Sequence, residues 1–252
     1  MNKLGLLKKN FLLFVLIFSS IIAKAQGDYN FMPFGIGGGA GIIRGYTNVA
    51  KQNNNIAGNI NFTYYESPYL PIELEVQKGR LTGGSVSEDR DGRQFENNYI
   101  AAYVHFDLQL GQVINYYYSD INQVLKNVYF GAGVGFVNDN VKNQRVQVPD
   151  KPFIGSPGGY IFPGSDHSID FSIPLRAGYE FKFYNEYDEP FMAIDISYTH
   201  TYVFAEGLDG YNDPPNHFKN NNPDQYRQVG LTVKYNFGLI RAFTKRIRRT
   251  GF

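Results

Sequence analysis

The chain has 252 residues, 43% of them hydrophobic and 16% aromatic, with 27 glycines, 20 tyrosines, 21 phenylalanines, and neither cysteine nor tryptophan. The missing cysteine excludes disulfide scaffolds, thiol nucleophiles and cysteine-ligated metals, and the pairing of glycine with aromatics suits strands and turns better than a helical bundle. A formal net charge of +1 hides two opposed segments.

Residues 1–25 read as a secretory signal peptide. Lys3, Lys8 and Lys9 form a positive start, residues 11–22 are apolar, and Ala23-Lys24-Ala25 is a cleavage box that would leave Gln26 first. An apolar run of 12 residues falls short of the ~18–20 that a spanning helix needs. After this segment, 20 basic residues face 23 acidic ones. Residues 239–252 hold Arg241, Lys245, Arg246, Arg248 and Arg249 with no acid, which leaves residues 26–238 with 15 basic and 23 acidic groups, a net of −8. So acidic a body lacks the basic footprint that nucleic-acid binding requires.

Period-two alternation dominates from residue 34 onward. The glycine-rich stretch 34–46 comes first, and there Gly37-Gly38-Gly39 leaves the register open. In 56–65, Ile56, Ile60, Phe62 and Tyr64 share one face, with Asn59, Asn61 and Thr63 on the other. Ile72, Leu74 and Val76 alternate with Glu73, Glu75 and Gln77, and the pattern recurs in 99–110, 128–136, 169–184, 192–199 and 229–237. That makes eight strands. Links near 67–70 and 185–190 are short, whereas 47–55, 84–97, 138–166 and 204–224 are longer and polar. Short turns at one end and long loops at the other is how outer-membrane barrels are built. The link 112–126 breaks that rule, and 121–126 could form one or two helical turns. The two longest loops, rich in proline, glycine and asparagine, are expected to be mobile.

One face is broad, apolar and aromatic on every strand. The other carries Glu73, Glu75, Asp107, Arg176, Glu180, Lys182, Asp195 and Lys234. A soluble sandwich would also alternate, but the signal peptide and the loop asymmetry favour an all-β, eight-stranded antiparallel transmembrane β-barrel in the cell outer membrane, apolar face out. Eight strands leave an interior just wide enough for side chains, and charges buried there must be paired. A plugged lumen held by an ion-pair network of those eight residues is therefore expected. Tyr46, Tyr64, Tyr99, Tyr179, Tyr198 and Tyr235, near strand ends, would form the interfacial girdle.

No catalytic, cofactor or metal site emerges. His105, His167, His200 and His217 lie on separate segments without metal-ligand spacing, and His105 is expected to be hydrogen-bonded in the lumen. The serine–histidine candidates, His167 with Ser168 and Ser197 with His200, fall on opposite faces of their strands.

Phe34-Gly35-Ile36-Gly37-Gly38-Gly39, Ser67-Pro68-Tyr69-Leu70-Pro71-Ile72-Glu73-Leu74-Glu75, the stretch 95–110, Tyr129-Phe130-Gly131-Ala132-Gly133-Val134-Gly135-Phe136 and Gly207-Leu208-Asp209-Gly210-Tyr211 resemble the small eight-stranded outer-membrane barrels of the OmpA/OmpX type, in their Bacteroidota-like form. The resemblance spans about residues 30–238. It implies a structural, adhesive or complex-forming barrel. Only 14 residues follow the last strand, so the peptidoglycan-binding domain of many relatives is not expected.

The domain reading is thus a signal peptide over 1–25, a barrel over 26–238 and a basic periplasmic tail over 239–252. For that tail an interfacial segment, a docking peptide and an untethered end are all open. The expected role is a non-enzymatic structural or accessory component of the envelope, with outer-membrane lipid and an envelope protein as partners. Adhesion through the long loops is the second reading and lipid modification the third.

Overall fold

The computed structural model describes residues 29–89, 91–117, 119–147, 159–212 and 223–245. The expected signal peptide, and Arg246, Arg248 and Arg249 of the tail, lie outside the described residues. Ten strands are present among the described residues: β1 (Tyr29–Phe31), β2 (Phe34–Tyr46), β3 (Asn54–Ser67), β4 (Leu70–Gly84), β5 (Gln94–Gln109), β6 (Val128–Asn143), β7 (His167–Tyr184), β8 (Pro190–Val203), β9 (Gln225–Phe237) and β10 (Arg241–Phe243). Strands β2 to β9 form a closed antiparallel barrel in sequence order, with β2 pairing back onto β9 from Phe34↔Phe237 to Tyr46↔Gln225.

One feature was not legible in the sequence. Strands β1 and β10 form a separate two-stranded ribbon, Tyr29↔Phe243 to Phe31↔Arg241. Part of the segment read as a tail is therefore built into the fold. Three residues are too few to show a periodicity, which is why neither strand was predicted. The link between β5 and β6 contains a single 3₁₀ turn, Leu110–Gln112, and a short helix α1 (Asp120–Leu125). Ser119 caps α1, its hydroxyl accepting from the Asn122 amide.

Side-chain parity settles the barrel's two faces. Ile36, Ile60, Leu74, Phe106, Phe130, Leu175, Ile196 and Leu231, one from each strand, are exposed on the outside. In a soluble domain such a continuous apolar surface would be a liability; around a closed barrel it is the lipid-facing belt. No helix among the described residues is long and apolar enough to span a membrane. The barrel strands run 13 to 18 residues. Even the shortest, at about 3.3 Å per residue and a tilt near 40°, covers roughly 30 Å of height, enough for a belt about 25 Å tall.

Parity also fixes the first strand, whose register its glycines hide. Gly35, Gly37, Gly39 and Gly41 face inward, as do Gly131, Gly133 and Gly135 on β6. Two of them show why. A Cβ at Gly131 would strike the Asp107 carboxylate and lie 2.9 Å from the Phe106 carbonyl oxygen, and one at Gly37 would meet Asn61 and sit 3.0 Å from Lys234 Cγ. The small residues give way to the charged side chains opposite them.

A charge placed at mid-belt should report this geometry. Leu231→Arg should destabilise the barrel by about 2–4 kcal/mol, whereas Ile56→Arg, near the extracellular rim, should cost about 0–1 kcal/mol. Reversible denaturant unfolding in lipid vesicles, followed by the gel-mobility difference between folded and unfolded barrel, measures both.

Candidate functional site: the barrel interior and its two ends

The sequence supplies charged residues at alternate positions of β4, β5, β7, β8 and β9, and closure points them at one another. Arg176 lies at the centre: its guanidinium is 2.9 Å from Glu73, 3.4 Å from Asp107 and 3.9 Å from Asp195. Lys234 Nζ is 2.9 Å from Glu73, 3.3 Å from Asp195 and 3.6 Å from Glu180. Lys182 sits 3.5 Å from Glu180 and donates to the Pro68 carbonyl at 2.6 Å and to Gln109 at 2.7 Å. Neutral donors complete the shell. The Tyr65 hydroxyl donates to Glu180 at 3.1 Å, the Tyr129 hydroxyl to Asp195 at 2.9 Å, and Thr63 to Glu73 at 3.3 Å. Seven of the eight luminal residues named from the sequence thus join in one network, all of them buried.

Glu75 stands apart. Its carboxylate lies 3.6 Å from His105 Nε2 and accepts from Gln77 at 3.4 Å. His105 is in the lumen, yet contrary to the expectation neither ring nitrogen makes a hydrogen bond. Donor atoms of Glu73, Glu75 and His105 all lie within 4.8 Å of one another, a grouping that could hold a metal. The set does not suit one. Arg176 takes one oxygen of Glu73 and Lys234 the other. Only Glu75 and His105 remain as ligands, beside two fixed cations that would repel a third.

Toward the extracellular end the lumen changes character. The Tyr103 and Tyr226 hydroxyls bond to each other, the Tyr99 ring packs 5.7 Å from that of Tyr226, and Tyr99 donates to Gln77 at 2.7 Å. Tyr99 is therefore core, not girdle, whereas Tyr64, Tyr198 and Tyr235 do stand on the outer face among the apolar belt residues. The reason is parity: Tyr99 shares its face with Tyr103 and His105. Above these tyrosines Ile43, Leu81, Phe95 and Val137 meet Phe162, Leu208 and Tyr211 from the long loops in one apolar core.

The loops expected to be mobile are, in their described parts, packed into the mouth. The Tyr211 hydroxyl lies 3.0 Å from the carbonyl oxygens of both Gln94 and Gln144, and Asn97 donates to the Leu208 carbonyl at 3.0 Å. Arg145 donates to the Gly210 carbonyl at 2.7 Å and pairs with Asp166 at 2.5 Å. Polar composition suggested mobility, but one buried aromatic in each loop, Phe162 and Tyr211, together with buried Leu208, outweighs it. An acidic cluster underlies this cap. Burial, reinforced by Asp209, raises Glu206 to about 7; burial raises Asp209 to about 6; and burial, with Asp209 and Glu206 beside it, holds Asp224 well above the ordinary range.

At the short-turn base, Lys245 Nζ donates to the carbonyl oxygens of Gly111 and Ile114 and lies 4.6 Å from the Tyr116 ring centroid. The Phe243 ring meets Tyr69 at 5.8 Å, and Arg241 donates to the Tyr64 hydroxyl at 3.0 Å. Arg241 and Lys245 thus clamp the start of the tail to the base, so an untethered end does not describe residues 241–245.

The serine–histidine candidates remain apart. Ser168 donates to Asp170 at 2.8 Å, while His167 projects outward. His200 faces outward and contacts Gln225 at 2.9 Å; Ser197 faces the lumen.

A closed eight-stranded sheet with an apolar belt outside and a charged, paired interior is built for lipid. It is an outer-membrane β-barrel. No family model and no curated protein matches the chain. Among solved structures it is similar to Neisserial surface protein A, at 12% identity and TM-score 0.41 over 81% of this chain and 97% of that one. The attachment invasion locus protein Ail of Yersinia pestis matches at 13% identity and TM-score 0.43, over 82% of this chain and 99% of that one. OprG from Pseudomonas aeruginosa matches at 11% identity and TM-score 0.36, over 85% of this chain and 100% of that one. Likenesses this distant add nothing to what closure and the belt establish.

Removing one partner from a buried ion-pair network strands the others. Lys234→Met, which leaves Glu73, Asp195 and Glu180 short of a cation, should destabilise the barrel by about 3–5 kcal/mol in denaturant titration. The cap should respond to pH in a defined direction. Carboxyls raised in the folded cap favour their neutral form, so their contribution is complete below the ordinary carboxylate range and is lost as pH rises through about 6 to 7. Hydrogen exchange at the Leu208 and Tyr211 amides, which donate to Asp224 and Asp209, should lose protection between pH 5 and 8 after correction for intrinsic rates, and Asp224→Asn should flatten that dependence.

Proposed function

We propose that this chain is a plugged, non-enzymatic barrel of the OmpA/OmpX type that serves as a structural or accessory component of the outer membrane. The observation that carries this reading is the filled interior. Its lower half is occupied by the network around Arg176 and Lys234, and its upper half by Tyr99, Tyr103, Tyr226 and the loop residues above them. Solute passage would require breaking several desolvated ion pairs at once, each of which costs far more than a surface pair. Ser197 and His200 face opposite sides of β8 and Ser168 is taken up by Asp170, an arrangement that supports the non-enzymatic part.

Two surfaces suit an accessory role. At the base, Leu239 and Ile240 before the clamped β10, and Ile121 and Val124 of α1, are exposed, and an envelope protein could dock there. At the mouth, the packed cap presents a preformed surface, which favours the second reading of surface binding or adhesion. A rigid platform binds without first losing loop entropy.

Planar-bilayer recording tests the plug. The wild-type barrel should give no stepwise conductance; clear, repeated openings without denaturant would overturn the reading. Mild-detergent purification from native outer membranes, read by native mass, then divides the roles. A stoichiometric partner that survives removal of the loop residues 204–212 supports the accessory role; surface binding that disappears with them supports adhesion.

A further inference from the structure

At the extracellular edge of the belt, three outward residues interrupt the apolar surface. Arg44 of β2 is the direct register partner of Arg227 of β9, which is in turn the partner of His200 of β8. One outward step toward mid-membrane lie Ile42, Val229 and Tyr198, all exposed. One step beyond the arginines lie Tyr46, Gln225 and Tyr202. A row of two arginines and a histidine therefore sits directly on the boundary where the hydrocarbon-facing surface ends.

Like charges directly opposite one another on a sheet are destabilising. Among the described residues neither Arg44 nor Arg227 pairs with a carboxylate, and Arg44 Nε is buried without a hydrogen-bond partner. The contrast with Arg80 is direct, because that exterior arginine pairs with Glu96 at 2.7 Å. Both unpaired guanidiniums converge on one ring, with Arg44 Cζ 5.9 Å and Arg227 Cζ 5.2 Å from the Tyr46 centroid. The His200 ring lies 6.3 Å from the same ring and is held by Gln225 at 2.9 Å. Beside them opens a cleft of about 390 Å³ lined by Tyr46, Thr47, Asn48, His200, Pro223 and Gln225.

We propose that Arg44 and Arg227, with His200 beside them, bind the phosphate of an outer-leaflet lipid, a proposal that rests on the outer-membrane reading above. Two planar, permanently charged forks match the oxygens of a phosphate. A lipid is the source because the site adjoins the belt: acyl chains can lie along Ile42 and Val229 while the phosphate stands at the arginines. A free phosphate would make no use of that apolar row. The Tyr46 ring holds the two cations at a common height and lowers the cost of their proximity through its π face.

The test uses the purified barrel in nonionic micelles with three probes: diphosphoryl lipid A, the same lipid stripped of phosphate, and inorganic phosphate. Native mass spectrometry or titration calorimetry reads binding. Wild type should bind the diphosphoryl lipid about ten-fold or more tightly than the stripped one. Arg44→Gln/Arg227→Gln should abolish that preference, and Arg44→Gln alone should reduce it. Arg80→Gln should leave it unchanged. Each variant is accepted only if it shows the heat-dependent gel shift of a folded barrel; these side chains lie outside the core, and the single variant serves should the double one misfold. Equal binding of the two lipids by wild type, or a preference that survives in the folded variants, overturns the site. Displacement of the lipid by millimolar inorganic phosphate overturns the lipid as its ligand. A wild-type protein that is soluble without detergent and shows no gel shift would instead refute the outer-membrane reading.

Discussion

In hydrocarbon an unpaired N–H or C=O has no water to turn to, so a sheet can cross only if its first strand hydrogen-bonds its last. The continuous pairing of β2 with β9, from Phe34 to Tyr46 along one strand, meets that demand. The rest follows from it. Closure sends one face of every strand into lipid and the other into an interior that, with eight strands, is just wide enough for side chains to fill. Each inward side chain then has to find its partner on another strand or be small enough to leave room.

The interior answers this in two layers with different physics. Near the periplasmic end, cations and carboxylates from five strands neutralise one another, and inward glycines on β2 and β6 provide the volume. Near the extracellular end, tyrosines and aliphatic residues form an ordinary packed core that loop residues complete. Five carboxylates face three lysine or arginine cations in the ionic layer, an excess of two acids, and Glu75 is the one that lies beside His105 and not in the network around Arg176 and Lys234. Buried ionic layers of this kind contribute less to stability than to a single defined arrangement, since a mispaired interior would be costly. The ends are then secured separately, by Tyr211 and Arg145 above and by Lys245 and Phe243 below.

The exterior holds the remaining functional information. Where the belt meets its extracellular edge, the Arg44, Arg227 and His200 row combines a repulsion inside the protein with a position at headgroup height. Such a pairing only becomes visible once β2 and β9 are brought together, because those two arginines are 183 positions apart in the chain.

What the sequence determined by itself was everything that depends on period two. Strand count in the barrel, the apolar face, and all eight luminal charges could be assigned from alternation, because a residue two positions on always returns to the same face. Its blind spots have physical causes as well. Glycine has no side chain to reveal its face, so the parity of β2 awaited the barrel. Strands of three residues, such as β1 and β10, carry no period. Tyrosine serves core and girdle alike, so Tyr99 could not be told from Tyr198 by type. Which charge meets which, how the loops seat in the mouth, and how the arginines come side by side are properties of closure. They depend on inter-strand register across the whole sheet, and only the tertiary structure decided them.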